Sequence, residues 1–474
     1  MSAIKRWKCT VCGKIFEGDT PPVPCPVCRA GEEAFVLWEE PAATTRWKCT
    51  VCGQIFEGVV PPVPCPVCGA GEDAFEKIEE EIPVFSQNTN DMFVLVGGGV
   101  AALEAAKAIR KRNSTATITI VSAENHYPYN RPTLSDVVAE GISFANIILE
   151  QPGFYMENKI ALLPGVEAQA IDVDKKMVQL SNEKSLPYTK LLLATGANSF
   201  NPIKQQSNAI PVRVLRSYED AENLVNLAGG KRVVLVGGGI LGLEAALALR
   251  ERNCVVTVVE FAPRILSLQA DEAVSAMIKD KLEELGIRVL TGISVQEAGP
   301  GGVILSDGAE MAADVVLASM GVRSEVALAQ ALGLELSHGI VVDEFMHTSH
   351  ADIWAAGDCA EFAGRVQAIA GAASGMGAVA GASMAGDETV PYKPFVPATM
   401  LEFADLAVFS VGNIGNTAET VLYQNTQTGV YRRLFFNQKT LAGALFVGKN
   451  PGAKAVTAVT QGVPFAKAME LLSD

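Results

Sequence analysis

Eight of the ten cysteines stand in four C-x-x-C pairs near the start of the chain. The pairs combine into two sets with C-x2-C-x12-C-x2-C spacing, and the members are Cys9, Cys12, Cys25 and Cys28, then Cys49, Cys52, Cys65 and Cys68. Four thiolates at this spacing form a closed tetrahedral site for iron or zinc. The pattern therefore predicts two metal centres rather than disulfides.

The two cysteine sets belong to a tandem repeat. Arg6–Glu40 realigns on Arg46–Glu80 with 27 of 35 positions identical. Segments this short cannot bury enough apolar surface to fold unaided, so metal binding must supply the missing stability. Three of the four cysteine knuckles are followed by a glycine that permits a positive φ, namely Gly13, Gly53 and Gly69. Arg29 takes that place in the fourth knuckle, which predicts slightly different potentials or stabilities for the two sites.

Two glycine-rich turns carry a second kind of chemistry. The first follows the apolar run Met92–Val96 and matches G-x-G-x-x-A, and its expected cofactor contacts are Gly97, Gly98, Gly99, Val100 and Ala101. The second follows Arg232–Val236 and matches G-x-G-x-x-G, with expected contacts Gly237, Gly239, Ile240 and Gly242. Such turns let backbone amides at a helix N-terminus approach a pyrophosphate. Two turns predict two dinucleotide sites.

An acidic residue follows the next expected strand after each turn. Glu124 comes shortly after strand 116–121, and Glu260 ends strand 255–259. A carboxylate at this place accepts hydrogen bonds from the ribose hydroxyls of the dinucleotide. Glu260 would also repel a 2′-phosphate, which favours NADH over NADPH. Arg264 is the counter-argument, because an arginine nearby could accommodate that phosphate.

The composition limits the partners. Acidic residues outnumber basic ones by 53 to 38, giving a net charge of −15, so nucleic acid and anionic membranes are not expected to bind. The most apolar window, 233–249, is typical of a strand, a turn and a helix start rather than a membrane span. Nothing near Met1 resembles a signal peptide, and we expect a cytoplasmic protein.

Both repeats resemble the short rubredoxin domains found at the end of rubrerythrins. The shared features are an aromatic residue two positions before the first cysteine, C-x-x-C-G, an I-F-E-G segment and C-P-x-C. The resemblance implies one iron per repeat, cycling between ferric and ferrous. Zinc ribbons share the ligand spacing, so structural zinc remains the alternative.

Residues from Met92 to about Gly448 resemble the flavoprotein reductases with two dinucleotide-binding domains, which include NADH:rubredoxin oxidoreductases. Besides the two glycine turns, the resemblance is carried by L-A-T-G-A at Leu193–Ala197 and D-I-W-A-A-G-D at Asp352–Asp358. It implies further cofactor contacts at Ala194, Thr195, Gly196, Gly357, Asp358 and Gly321. Asp358 would hold the ribityl chain of FAD, and a helix beginning near Ala370 would aim its positive end at the flavin.

The same resemblance assigns residues next to the reacting rings. Tyr127–Pro132 resembles a P-Y-x-R-P loop that packs against the isoalloxazine, so Arg131 and Pro132 are expected FAD contacts. Glu244, on the helix after the second glycine turn, is expected near the nicotinamide and, with Arg131, forms the expected catalytic pair. Related ferredoxin reductases often have a lysine at the position of Asp136. In this chain the role of that lysine is either unfilled or taken by a residue elsewhere.

The remaining cysteines and histidines are expected to be structural. Residues 124–151 contain no cysteine, so no redox disulfide can lie beside the flavin. Cys254 and Cys359 are expected to pack in the interior. The four histidines, His126, His338, His347 and His350, show no spacing for a metal or for a triad with Ser or Cys.

We therefore expect an α/β fold with two Rossmann-like dinucleotide-binding domains and an α+β C-terminal domain, preceded by two small rubredoxin-like four-cysteine domains. The expected boundaries are 5–40 and 45–80 for the rubredoxin-like domains, 91–205 and 320–385 for the FAD-binding domain, 206–319 for the NAD-binding domain, and 386–474 for the interface domain. The interface domain would cap the flavin cleft, and such domains often contribute to dimers. Residues 76–91 read as a linker through which the repeats could reach the flavin.

The expected function is hydride transfer from NADH to FAD, followed by transfer of single electrons to the chain's own iron sites. The expected external acceptor is a redox protein such as a rubrerythrin, a flavodiiron protein or a free rubredoxin. One alternative is an NADH-dependent flavoprotein reductase whose repeats are zinc ribbons for docking. An NADH oxidase or peroxidase is a further alternative, disfavoured by the missing cysteine beside the flavin.

Overall fold

The structure is a computed structural model that describes residues 6–9, 15–17, 20–23, 35–37, 45–51, 54–65, 69–78, 86–403, 406–415, 419–425, 427–448 and 452–472. Several predicted positions lie outside the described residues, namely Cys12, Cys25, Cys28, Cys52, Cys68, Gly13, Gly53 and Arg29. Of the eight paired cysteines, Cys49 and Cys65 have described side chains, and Cys9 is described in its backbone alone.

The sequence duplication is also a structural duplication. The strands are β1 (Arg6–Cys9), β2 (Ile15–Glu17) and β3 (Phe35–Leu37) in the first repeat, and β4 (Thr45–Cys49), β5 (Ile55–Gly58) and β6 (Phe75–Ile78) in the second. Each repeat is an antiparallel sheet with its first strand in the centre. The registers agree, since Trp7 lies opposite Phe16 and Trp47 opposite Phe56.

The predicted linker starts too early. Glu76, Lys77 and Ile78 belong to β6, where Ile78 lies opposite Arg46 of β4. Glu76 and Lys77 are adjacent and both exposed, and the apolar Phe75 and Ile78 on either side are half-buried, so the strand lacks the regular alternation by which strands are predicted. Residues 79–85 of the predicted linker lie outside the described residues, and residues 86–91 lead into the next unit.

A parallel five-stranded sheet, in the order β26-β13-β7-β8-β9, builds the first large unit. Its first segment contains β7 (Met92–Val96), α1 (Val100–Arg112), β8 (Thr117–Ser122), α2 (Leu134–Glu140), α3 (Pro152–Glu157), β9 (Ile160–Pro164), β10 (Ala168–Asp172), β11 (Met177–Leu180), β12 (Ser185–Pro187), β13 (Lys190–Leu193) and β14 (Ala197–Ser199). Strand β7 is an almost continuous buried apolar run because helices and loops cover both faces of the sheet.

A second parallel five-stranded sheet, in the order β16-β23-β17-β18-β19, builds the next unit. The unit contains β15 (Lys204–Gln205), β16 (Val212–Arg213), α4 (Tyr218–Ala228), β17 (Arg232–Val236), α5 (Ile240–Glu251), β18 (Val255–Glu260), α6 (Glu272–Glu284), β19 (Arg288–Thr291), β20 (Val295–Gly299), β21 (Gly302–Leu305), β22 (Glu310–Ala312) and β23 (Val315–Ala318). The window predicted as strand, turn and helix is thus β17, the glycine turn and α5.

The chain then returns to the first sheet. This segment contains β24 (Val322–Ser324), α7 (Ala327–Ala331), β25 (Ile340–Val342), β26 (Ile353–Ala355), β27 (Ala360–Phe362) and α8 (Ala370–Met384). Strand β26 pairs with β13 in parallel, and α8 packs along α1. A Cβ atom on Gly377 would lie 2.2 Å from the Ala101 carbonyl oxygen, so only glycine allows this approach of the two helices.

The last unit is an antiparallel sheet in the order β28-β29-β32-β31-β30 with short helices against it. Its elements are β28 (Ala398–Phe403), β29 (Leu406–Gly412), β30 (Glu419–Asn425), β31 (Val430–Asn437), β32 (Thr440–Val447), α9 (Ala453–Gln461) and α10 (Phe465–Ala468). The architecture confirms the predicted α/β fold class. Within the residues that the structure describes, no helix is both long and apolar enough to cross a bilayer.

Candidate functional site

The first glycine turn leaves open space in front of α1. Gly97 has φ +133°, and a Cβ atom there would lie 1.9 Å from the Ala194 carbonyl oxygen. A Cβ atom on Gly99 would meet nothing within 4 Å. The turn is therefore tight against the A-T-G segment on one side and open at Gly99, directly before α1. This space suits a pyrophosphate.

The second glycine turn has the same design. Gly237 has φ +115°, and a Cβ atom there would lie 2.1 Å from the Ser319 carbonyl oxygen. A Cβ atom on Gly242 would lie 2.1 Å from the Gly237 carbonyl oxygen, so the third glycine lets α5 pack closely on its own turn. Gly239 again faces open space. The turn opens at the start of α5, next to Ile240.

Glu260 lies at the mouth of the second turn. Its two carboxylate oxygens accept hydrogen bonds from the Gly238 N–H (2.5 Å) and the Ala262 N–H (2.7 Å). This holds the carboxylate beside the space in front of α5, where a ribose would lie. Arg264 instead donates from Nη2 to the Ser267 carbonyl oxygen (3.1 Å), within its own loop.

Glu124, Tyr129 and Arg131 form one network after β8. The Tyr129 hydroxyl donates to Glu124 Oε2 (2.8 Å), and the Arg131 guanidinium forms an ion pair with the same carboxylate. Burial raises the pKa of the Tyr129 phenol well above its usual range, so the hydroxyl stays protonated and donates. Burial by itself would lower the pKa of Arg131, but Tyr129 and Glu124 raise it, so this guanidinium stays charged.

Arg216 is a site residue that the sequence analysis missed. Its Nη2 donates to Asp358 Oδ2 (2.8 Å) and its Nε to the Ala197 carbonyl oxygen (3.1 Å). Its own carbonyl oxygen accepts from Arg131 Nη1 (2.8 Å). Arg216 therefore links three segments that were predicted separately as FAD contacts. The Ser217 capping box of α4 signals a helix start next to it, but no motif signals where the arginine points.

Three further predicted cofactor contacts are Thr195, Gly321 and Pro132. Thr195 donates from Oγ1 to the Glu325 carbonyl oxygen (2.6 Å), which ties the A-T-G segment to the loop after β24. Gly321 has φ +90° and faces open space, and its carbonyl oxygen accepts from the Phe200 N–H (2.9 Å). Pro132 lies in the 3₁₀ turn between Arg131 and α2.

Helices α1 and α8 run side by side from the first glycine turn onward. Gly377 and Gly381 of α8 approach Ala101 and Ala105 of α1 in the same order along both helices, so the helices run parallel. A Cβ atom on Gly357 would lie 3.1 Å from the Ala101 Cβ, so the second predicted FAD motif closes on the start of α1. The positive ends of both helix dipoles therefore point to one side, where they favour an anionic ligand.

Glu244 and Asp136 bring two carboxyl groups to the α2–α5 contact. Burial, with a further contribution from the charge of Asp136, raises the pKa of Glu244 to about 7. Burial also raises the pKa of Asp136, as do the charges of Glu140 and Glu251. Helix α2 follows directly after the Arg131–Thr133 turn, and Glu244 lies in the second turn of α5. The Asp136 carboxyl group thus adds to the negative charge near Glu244.

The second repeat has the backbone geometry of a metal knuckle. The Cys49 N–H donates to the Gln54 carbonyl oxygen and the Cys65 N–H to the Ala70 carbonyl oxygen, both at 2.8 Å. Gly69 has φ +69°, as predicted for the residue after a knuckle. The side chains of Cys49 and Cys65 are buried in one cluster. Two thiols held in this way fit a tetrathiolate site. Among the described residues, no three or more potential metal ligands lie close enough together to hold an ion.

His347 makes side-chain contacts that its place in the sequence did not suggest. His347 Nε2 lies 3.1 Å from Ser383 Oγ, and Nδ1 lies 2.9 Å from Asp343 Oδ2, an arrangement that the spacing did not suggest. Ser383 is buried and its Oγ also accepts from Trp354 Nε1 (2.9 Å). The cluster therefore fastens the end of α8 to β26, which agrees with the structural role expected for the histidines.

The two lone cysteines are interior residues, as predicted. Cys254 and Cys359 are both fully buried. The Cys359 thiol donates to the Leu193 carbonyl oxygen (3.3 Å), and burial raises its pKa. A neutral, buried thiol of this kind packs and is unreactive.

Three family models match this chain. The model described as pyridine nucleotide-disulphide oxidoreductase matches residues 91–386. The rubredoxin-like domain of rubrerythrin matches twice, at residues 7–36 and 47–76. The C-terminal domain of rubredoxin NAD⁺ reductase matches residues 397–458.

Individual relatives agree with these models. The NADH-rubredoxin oxidoreductase of Clostridium acetobutylicum is 29% identical over 356 residues, covering 75% of this chain and 90% of the relative. The assimilatory nitrate reductase electron transfer subunit of Bacillus subtilis is 30% identical over 363 residues, and the match spans only 47% of its length. The covalent complex of putidaredoxin reductase with putidaredoxin superposes with a TM-score of 0.72 at 28% identity, covering 80% of this chain and 94% of that one.

Proposed function

Because the chain belongs to the pyridine nucleotide-disulphide oxidoreductase family, we propose that it is an NADH-dependent flavoenzyme that passes electrons singly to iron in its two N-terminal domains. The observation that carries this proposal is the union, in one chain, of the two-turn reductase core with two rubredoxin-like domains. A relative is named as an NADH-rubredoxin oxidoreductase, so its name gives rubredoxin as its electron acceptor. Here the acceptor domain would be covalently attached.

The second glycine turn is the proposed NADH site. Gly237, Gly239 and Gly242 leave room for the pyrophosphate, and Glu260 accepts the ribose hydroxyls. The Glu260 carboxylate repels a 2′-phosphate, and Arg264 is turned toward Ser267. The proposed coenzyme is therefore NADH rather than NADPH.

The first glycine turn is the proposed FAD site. The start of α1 binds the pyrophosphate, Glu124 binds the ribose, and Asp358 holds the ribityl chain next to Arg216. Arg131 and Pro132 orient the isoalloxazine, and Glu244 faces the nicotinamide. Bound FAD supplies a redox group that accepts two electrons together and releases them one at a time.

The proposed metal in each repeat is iron held by four cysteine thiolates. Two one-electron sites match the two electrons of one hydride. The onward acceptor is proposed to be a redox protein such as a rubrerythrin, a flavodiiron protein or a rubredoxin. We place the protein in the cytoplasm, where these thiolates stay reduced and available for metal.

The test is anaerobic rapid mixing of the full-length protein with NADH, followed at flavin and ferric-thiolate wavelengths. The proposal predicts that flavin reduction precedes bleaching of a red absorption. Cys12→Ser should remove the bleaching contributed by the first repeat and Cys52→Ser that of the second, while both variants keep the rate of flavin reduction. A protein whose flavin is reduced but which has zinc in both repeats would contradict the proposal and leave the docking-ribbon alternative.

A further inference from the structure

The second repeat has one covered side and one open side. In the covered part, Cys49 and Val51 are 0% exposed, and Cys65 and Ala70 are also buried. On the open side, the loop after β5 leaves Val60 70% exposed. Val51 lies between the two cysteines of a knuckle, at the surface of a domain too small to bury it alone. Its complete burial therefore needs a neighbouring surface.

That surface is the C-terminal domain of the same chain. The buried residues of the second repeat share one apolar cluster with Phe409, Phe446 and Val459 of the C-terminal unit. The 3₁₀ turn Glu72–Ala74 of the repeat contacts α9, and Ala74 in this turn is fully buried. The knuckle side of the repeat is thus the side that is docked.

The second repeat docks on the face of the C-terminal sheet that points away from α2 and the NAD-binding unit. Val408, Phe435 and Leu445 belong to the cluster that packs on α2 and the NAD-binding unit, whereas their neighbours Phe409, Phe436 and Phe446 belong to the cluster with the second repeat. Successive residues of a strand point to opposite faces, so the sheet separates the two clusters. Helix α9 packs on β29 and β32 and also contacts the repeat, so it adds to this layer.

This layering separates the second repeat from the proposed flavin site. Arg131, Glu244 and the start of α2 lie on the opposite face of the sheet, with the cluster that contains Val408, Phe435 and Leu445. A layer packed on a sheet lies about 10 Å from it. With the repeat packed on one face of the sheet and α2 on the other, the two are on the order of 20 Å apart. Electron transfer rates fall steeply with distance, so direct transfer to the docked repeat is slow.

We propose that the second repeat is a docked module whose partner is the C-terminal domain of its own chain, and that the first repeat accepts electrons directly from the flavin side. The second half rests on the proposed function, whereas the docking does not. Docking excludes water from the Cys49 knuckle and gives the second repeat the apolar burial that its own residues cannot supply. The first repeat is then joined to the docked one through residues 41–44, which lie between the two predicted rubredoxin-like domains.

The docking is tested by hydrogen exchange on the metal-loaded full chain. Val51→Asp should speed exchange several-fold in α9 and in the Ala74 turn, because an unpaired buried carboxylate is costly. The matched control is Val11→Asp, at the equivalent position of the first repeat, which should leave α9 unchanged. Metal content is measured for both variants, and unchanged exchange in α9 in a Val51→Asp chain that retains its metal would count against the docking.

A second pair of variants approaches the contact from the other side. Val456→Asp in α9, whose side chain packs on the shared cluster, should speed exchange at the Cys49, Thr50 and Cys65 amides. Thr457→Asp, on the exposed face of the same helix, should not. Unchanged protection of the repeat in Val456→Asp, with α9 still folded, would overturn the docking.

The electron route is tested with single-metal chains. Cys52→Ser leaves iron in the first repeat and Cys12→Ser leaves it in the second. We expect NADH-driven bleaching to be at least about tenfold slower when only the second repeat holds iron. A tenfold difference in rate corresponds to about 1.4 kcal/mol of barrier. Equal rates would overturn the assigned order. Absence of bleaching in both chains would contradict the proposed function and leave the exchange result on docking unaffected.

Discussion

At the scale of single residues, the glycines and acids of the motifs were predictable, whereas Arg216 was not. Gly97, Gly237 and Glu260 lie where the motifs place them because each motif records a local backbone requirement. Arg216 was missed because its target, Asp358, is distant in sequence and its role depends on tertiary contacts. The sequence shows aspartate at position 136, where the family resemblance leads one to expect lysine. The effect of Asp136 on the pKa of Glu244 follows only from the packing of α2 on α5.

The Glu244 carboxyl predicts a pH-dependent preference for the oxidised coenzyme. Its pKa of about 7 means that it is neutral below and ionised above that pH. The nicotinamide ring is positive in NAD⁺ and neutral in NADH, so ionised Glu244, in its proposed place beside this ring, should favour NAD⁺. The affinity for NAD⁺ relative to NADH should rise through pH 7 by about fivefold, equivalent to about 1 kcal/mol. Binding titrations of both coenzymes between pH 5.5 and 8.5 measure this.

Two variants separate Glu244 from other titrating groups. Asp136→Asn removes a neighbouring negative charge, so the pKa of Glu244 falls and the rise should move to lower pH. In this variant the pKa of Glu244 should stay above the ordinary value of a glutamate side chain, because burial is the larger cause of the shift. Glu244→Gln should flatten the dependence. A rise that persists unchanged in Glu244→Gln would rule out this assignment.

Glu260 predicts the coenzyme preference. Glu260→Gln keeps one acceptor oxygen but loses the charge, so kcat/KM for NADH should fall about tenfold while that for NADPH rises. The comparison uses initial rates with both coenzymes and the same electron acceptor. Arg264→Ala, in the same loop, should leave the NADH rate unchanged. A wild-type chain that prefers NADPH would show that the argument from the acidic residue fails here.

At the scale of elements, the strand–turn–helix units were predicted well and the helix contacts were not. Strands expected at 116–121 and 255–259 are found at Thr117–Ser122 and Val255–Glu260. The helix expected near Ala370 begins there, but its apolar sequence has no periodicity that reveals a packing face. The linker began too early because charged residues in β6 looked irregular.

The α1–α8 contact predicts a difference between two glycines of one helix. Gly377→Ala would place a Cβ atom 2.2 Å from the Ala101 carbonyl oxygen, so the helices must separate. Overpacking of this kind costs about 1–3 kcal/mol, and we expect a lower Tm and weaker FAD retention. Gly375→Ala is the matched control, because its Cβ atom would meet only the Tyr392 ring at 3.4 Å.

The control should be neutral or slightly stabilising, since alanine is favoured over glycine inside a helix by about 0.5–1 kcal/mol. Thermal unfolding and flavin content after gel filtration measure both effects. Identical behaviour of the two variants would mean that the close approach of α8 to α1 does not position the FAD site.

At the scale of the whole molecule, the duplication was evident but its arrangement was not. The two repeats share 27 of 35 positions, including Val11 and Val51, so no residue type in the knuckles indicates which repeat docks. The docking surface is formed by residues of the C-terminal sheet and α9, distant in sequence from the repeats. Such a contact depends on the assembled sheet, and periodicity alone predicts only that the sheet has two apolar faces.

The central claim, that two iron sites share a chain with one flavin, is tested most directly by an anaerobic NADH titration of the metal-loaded protein. Full reduction of one flavin and two ferric sites requires four electrons, so we predict that two NADH per chain are consumed before NADH absorption persists. Loss of flavin absorption should be accompanied by loss of the ferric-thiolate absorption. An end point at one NADH per chain, with only flavin bleached, would contradict the account.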